Sequence, residues 1–159
     1  MKSGGVMTTY ALSTALAALT INYPGGTTLY LNGDGGFSTI PTATSGTYTP
    51  TRSAEANLDS NVTPSSAQYC RCGSVVTVSG RVTVDPTLTA TATSFELSLP
   101  IASNIGAVED LAGVAFCSAI AGMGAGISGS VANNTAVFSW ISSDVASQTF
   151  SYVYSYEVI

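Results

Sequence analysis

A two-residue rhythm of apolar and polar side chains restricts this chain more than any other feature. In "GSVVTVSGRVTVDPT", residues 73–87, Val76, Val78, Val82 and Val84 fall on one face of an extended chain. Val75, Thr77, Ser79, Arg81 and Thr83 fall on the other. Period two is the period of a half-buried strand. Gly80 interrupts the apolar row and Pro86 ends it. The rhythm then recurs. Phe95, Leu97 and Leu99 alternate with Ser94, Glu96 and Ser98, and Val114, Phe116, Ser118 and Ile120 alternate with Ala115, Cys117 and Ala119. Ala136, Phe138 and Trp140 share a face opposite Val137, Ser139 and Ile141. Strands are expected at roughly 65–72, 74–84, 93–99, 113–120, 125–131, 135–141 and 147–158. Such even spacing, with turn signals between, predicts an all-β fold: an antiparallel β-sandwich or jelly-roll-like domain.

Ahead of that domain the pattern changes. Leu12, Leu16 and Leu19 stand at helical spacing with Ala11, Ala15 and Ala18 beside them, but Thr8, Thr9 and Thr14 are poor helix formers, so a strand stays open. "YPGG" at 23–26 reads as a turn, and "TTLYLNGDGGFSTIP" as a hairpin with a longer loop around residues 32–36. "TATSGTYTPT" reads as a connection or an edge strand, because Pro41 and Pro50 exclude central pairing. The expected organisation is an N-terminal arm and hairpin over residues 1–46, for attachment or oligomerisation, and a β-sandwich domain over 47–159. The first twenty residues resemble a signal peptide in having Lys2 ahead of an apolar stretch and Ala15-Leu16-Ala17 after it. The charged region is a single lysine, however, and threonines and a serine break the apolar stretch, so structure is expected there rather than a cleaved leader. No apolar run reaches the roughly 18 residues of a membrane span, and no membrane partner is expected.

Charge narrows function further. Charged residues are 8% of the 159, where about 25% is usual. Either Ser and Thr cover the surface or other protein does, and subunit burial is the expectation. Four scattered cations, Lys2, Arg52, Arg71 and Arg81, in a chain of net charge −5 cannot form the basic stripe that nucleic acid requires. Without histidine, Ser-His and Cys-His catalysis are excluded. Cys70, Cys72 and Cys117 are too few for a zinc site unless a carboxylate helps, and they are expected to be buried thiols. Glu109-Asp110 is the one adjacent acid pair, read as solvated loop acids. "GMGAGISGS" lacks the Gly-Lys-Ser/Thr ending of a phosphate loop and reads as a tight turn with close backbone packing. No catalytic residue, cofactor or metal is expected.

The last strand, "TFSYVYSYEVI", sets Phe150, Tyr152, Tyr154, Tyr156 and Val158 on one face. Tyrosine suits both a half-wet core and an interface, so the face belongs either to the chain's own core or to a contact with a neighbouring subunit. Candidate interface residues are Phe150, Tyr152, Tyr154 and Tyr156 here, with Leu12, Leu16, Leu19, Tyr23 and Tyr30 in the arm.

Three blocks in order, "QYCRCGSVVTVSGRVTVDPT", "FELSLPIASNIGAVEDLAGVA" and "YSYEVI", resemble a small domain recurrent in virion proteins of tailed bacteriophages. That domain often ends tail-fibre or head-associated proteins. The resemblance covers roughly residues 47–159 and brings no active-site residue with it. It implies a structural role. Residues 1–46 stand where a long fibre shaft would be, and so few residues rise too little to make one. The expectation is a capsid decoration, or cement, protein on the virion surface, a homotrimer whose partner is the major capsid protein. Two alternatives stay open: a tail-fibre or head-fibre module that binds a host glycan, marked by exposed aromatics near a carboxylate, and a polysaccharide-cleaving enzyme with two acids facing across a groove.

Overall fold

The computed structural model describes residues 29–31, 37–39, 43–59, 62–117, 119–120 and 122–159, the first two segments by backbone alone. The chain divides into two units, Met1–Ile40 and Pro41–Ile159. In the first, β1 (Leu29–Leu31) and β2 (Phe37–Thr39) pair antiparallel with Leu31 opposite Phe37, which is the expected hairpin. The helix-or-strand expected near residues 8–20 and the turn at 23–26 lie outside the described residues.

The second unit is an all-β, sandwich-like domain built from one antiparallel sheet curled into a half-barrel. Its strands are β3 (Ala43–Tyr48), β4 (Arg52–Ala56), β5 (Thr63–Pro64), β6 (Ala67–Cys72), β7 (Val75–Val84), β8 (Ala92–Leu97), β9 (Leu111–Cys117), β10 (Gly124–Ser130), β11 (Thr135–Ile141) and β12 (Gln148–Glu157). They lie in the order β3-β6-β7-β12-β9-β10-β11-β8-β4, with β5 beside β7 in line with β6. The arm does not reach residue 46, as the sequence suggested. β3 pairs with β6 through six residues, so its backbone belongs to the sheet and the division falls at 40/41. β6 and β7 are joined by Gly73-Ser74, with Gly73 at φ +63°, the first central position that a II′ turn reserves for glycine.

The curl follows from what the inner face has to hold. Phe138 on β11 and Tyr152 on β12 are three strands apart, about 14 Å on a flat sheet at ~4.8 Å per strand. Their ring centroids nevertheless lie 5.2 Å apart, edge to face. Phe95 stacks on Phe138 at 4.7 Å, and Trp140 meets Phe150 at 5.2 Å. These rings, with Val76, Val78, Val82 and Val84, make one continuous core. The edge strands β3 and β4 are consecutive in the chain, so residues 49–51 step from one end of the curled sheet to the other. Tyr48 Oη at this step donates to the Ser98 carbonyl (3.2 Å) and lies 2.9 Å from Tyr154 Oη, while Thr51 N donates to Ser98 Oγ (2.9 Å).

Glycines make room for the rings. Tyr152 is paired with Gly80, and a Cβ on Gly80 would stand 2.5 Å from the Tyr152 hydroxyl. Tyr154 is paired with Gly113, where a Cβ would stand 2.4 Å from the Tyr154 Cβ and from the Val153 carbonyl oxygen. The interruption of the valine row at Gly80 is therefore the seat of a tyrosine. The same volume explains β9. It turns Leu111, Ala115 and Cys117 inward and its bulkier Val114 and Phe116 outward, because tyrosine rings already fill the space beneath it.

Candidate interaction surface

The outward side of β12, β9, β10 and β11 carries four of the ten exposed large apolar side chains among the described residues. Val153 is paired with Val114, which is paired with Gly126, which is paired with Ser139. One register step along, Ser151 stands opposite Phe116 and Phe116 opposite Gly124, and the same register sets Ile141 across from Gly124. Val114 is 63% exposed, Phe116 60%, Ile141 63% and Val153 44%. A Cβ on Gly126 would meet nothing within 4 Å. The face is therefore a shallow trough with a glycine floor between ridges on β9 and β11. Outward positions between Thr149 and Ser155 on β12, and all those on β9, β10 and β11, are uncharged. A surface of this kind loses little polar hydration when covered and gains from apolar burial.

Towards β3 the outward face becomes hydroxylic. A groove of about 440 Å³ over β3, β6 and β7 is lined by Ser45, Thr47, Gln68, Cys70, Thr77 and Ser79. Cys70 and Cys72 project on this side and are exposed, and only Cys117 is buried. The expectation of three buried thiols is thus corrected for two of them. β6 lies next to the sheet edge, and its inward row is Ala67, Tyr69 and Arg71, so both cysteines fall on the wet row.

Of the candidate interface residues, Phe150, Tyr152, Tyr154 and Tyr156 come together, but inside the chain's own core, at 1%, 4%, 1% and 2% exposure. The core reading of the aromatic face describes them, and nothing of these rings is left to meet a second subunit. The reason is the curl, which folds that face onto β8 and β11. Leu12, Leu16, Leu19 and Tyr23 lie outside the described residues, and Tyr30 is placed only by its backbone, opposite Ser38. Burial pushes the phenols up. Tyr156 is raised to about 12 by desolvation, partly offset by the hydrogen bond its oxygen accepts from Ile101 N (3.2 Å). Tyr48, Tyr152 and Tyr154 are also raised by desolvation.

The acid pair has divided roles. Asp110 closes a 3-10 turn (Val108–Asp110), its Oδ2 accepting from Gly106 N (2.8 Å) and Ala107 N (2.9 Å). Its carboxylate is therefore committed to shaping the loop. Among the described residues no three His, Cys, Asp or Glu side chains are grouped to hold a metal. Searches against protein-family models, curated proteins and solved structures find no match to this chain.

Two polar centres escaped the sequence reading. Asn57, at φ +57°, donates from Nδ2 to the Leu88 carbonyl (3.0 Å) and Thr93 Oγ1 (2.7 Å), and its Oδ1 accepts from Leu88 N (2.9 Å) and Thr87 Oγ1 (2.8 Å). Buried Glu96 accepts through Oε2 from Asn133 Nδ2 (2.9 Å) and Thr135 Oγ1 (2.6 Å). Asn57 follows an edge strand without alternation, and the partners of Glu96 are some forty residues on, so local pattern signals neither. Both pin loops rather than face a groove.

Proposed function

We propose that the protein is a bacteriophage virion structural protein that decorates the capsid surface and stabilises the head by bridging neighbouring capsomers. The observation that carries this reading is the uncharged outer sheet face, with Val114, Phe116, Val153 and Ile141 exposed around a glycine trough in a chain poor in charge. The ordered sequence blocks that resemble a phage virion domain supply the setting. In this reading the protein is a homotrimer whose contacts, together with residues 1–40, clasp the major capsid protein. Its work is mechanical. Apolar area covered at each junction contributes about 25 cal/mol per Å² before association costs, and repetition over a shell multiplies weak contacts through avidity.

Quantitative mass spectrometry of purified virions tests it. Hundreds of copies per particle are expected. A handful would place the protein on a tail or head fibre and overturn the decoration reading in favour of receptor binding. Native mass measurement of the isolated protein tests the trimer, and a monomer at micromolar concentration with no threefold clustering on particles would remove it.

A further inference from the structure

The two edges of the ten-stranded sheet are treated differently by the sequence. β4 is guarded in the ways that natural edges are. It is charged, with Arg52 ion-paired to Glu55, and its pairing with β8 slips between Ser53 and Ala56, where Ala54 takes φ +49°. β3 carries none of these devices. Ala43–Tyr48 contains no charge and no proline, and it pairs with β6 in unbroken register from Ala43↔Cys72 to Tyr48↔Ala67. Among the described residues nothing pairs with its other side. An uncharged strand of six residues in unbroken register, with no described strand on its other side, is a template for another strand.

The template is also held rigid, which lowers the ordering cost of association. Tyr69 lies over Gly46, where a Cβ would meet its ring at 2.9 Å, and Tyr48 packs edge to face on Tyr69 with centroids 6.2 Å apart. The hydrogen bonds that Tyr48 shares with the Ser98 carbonyl and the Tyr154 hydroxyl fix the far end.

We propose that β3 is a strand-addition site for a second copy of this chain, two β3 strands pairing antiparallel about a two-fold axis so that the two sheets continue as one. Symmetry limits the register. Backbone groups point alternately toward β6 and away from it, so outward residues must face outward residues, and the two positions of a pair must sum to an even number. The two registers that pair the most residues within Ala43–Tyr48 pass the axis through Ser45 or through Gly46. Either register brings together only Ala, Thr, Ser, Gly and Tyr. In a chain of net charge −5, this edge is one where a copy meets itself without like-charge repulsion. Such a contact is isologous and joins copies in pairs; together with the threefold contact of the proposed function it would link one trimer to another. It is independent of what the protein coats.

Disulfide trapping in the full chain tests this. In a Cys70→Ser/Cys72→Ser background, Ser45→Cys with Thr47→Cys places the Cα of a cysteine about 4.5–5.5 Å from its partner's in either register, inside the Cα range of a disulfide. Mild oxidation at micromolar protein should give a covalent dimer as the main product, at least tenfold faster than a control with Ser53→Cys on β4. Formation with Ser45→Cys alone sets the axis at Ser45, and a need for both sets it at Gly46. A rate no faster than the control overturns the proposal. Hydrogen exchange on the unmutated chain gives a second reading. The β3 amides should slow with rising concentration, and Thr44→Lys/Thr47→Lys should abolish that dependence. Amides that are slow at every concentration, in protein whose mass is that of a single copy, would mean the edge is covered within one chain, and that also overturns it.

Discussion

At the scale of the residue, glycines on neighbouring strands carry opposite consequences. Gly113 lies so close under β12 that a Cβ would stand 2.4 Å from a backbone oxygen, and backbone cannot swing aside. Gly113→Ala should therefore destabilise the domain by at least roughly 1–3 kcal/mol, the range for an overpacked core. Gly126 points to open space, and Gly126→Ala should stay within about 0.5 kcal/mol of the parent. Urea denaturation of the two variants side by side checks the contrast; equal costs would show that the tyrosine does not occupy the Gly113 position. The thiols divide the same way. Cys70 and Cys72 should react with an aromatic disulfide reagent in the folded protein, and Cys117 only after unfolding. Asp110→Ala leaves two backbone N–H groups without their acceptor, and a loss of about 1–3 kcal/mol is expected in the same denaturation assay.

At the scale of the element, β12 sets the behaviour of the protein in alkali. Its tyrosines are buried as neutral phenols, with Tyr156 raised to about 12 against an ordinary 10.0, and Tyr152 and Tyr154 raised by the same desolvation. Below the ordinary value the phenols are neutral in folded and unfolded chains alike, so their contribution to stability is fully present. Above it the unfolded chain ionises first, and stability falls as pH climbs toward and through the folded value. Phenolate absorbance from these residues should therefore rise together with loss of the β-sheet circular dichroism signal. Phenolate formation completed while the sheet signal is intact would contradict the burial. β8 and the loop before it depend on Asn57, which joins Thr87, Leu88 and Thr93 through one side chain. Its position at φ +57° suits asparagine among the non-glycine residues.

At the scale of the whole molecule, the sheet and the N-terminal unit have separable tasks in the proposed function. A chain lacking residues 1–40 should keep the all-β circular dichroism spectrum, because the second unit holds the whole aromatic core. It should fail to coat undecorated heads, and binding at the parent level would remove the arm from the anchoring role. Much of this architecture was legible in advance. Period-two alternation is a local property of an extended chain, so the long strands fell within two or three residues of their expected bounds, as β7 (Val75–Val84) and β11 (Thr135–Ile141) illustrate. The hairpin around residues 32–36 was legible for the same reason, from glycine and asparagine chemistry confined to a few positions. Alternation by itself does not say which row faces in. Val114 and Phe116 are bulkier and more apolar than Ala115 and Cys117, yet they face out, because rings contributed from β11 and β12 had already taken the inner volume. That competition for space involves residues far apart in the sequence, and it decided the exposed apolar face. It also placed Phe150, Tyr152, Tyr154 and Tyr156 in the core rather than at a surface. The unguarded edge likewise belongs to the tertiary structure: "ATSGTY" reads as a bland polar segment until the sheet order places it at the end of the described strands. The sequence by itself determined the long alternating strands from β6 to β12, since covalent geometry alone imposes that period, but not β4 (Arg52–Ala56), which lacks the alternation. Only the tertiary structure decided which faces and edges remain for a partner, since packing volume and strand order are properties of the assembled sheet.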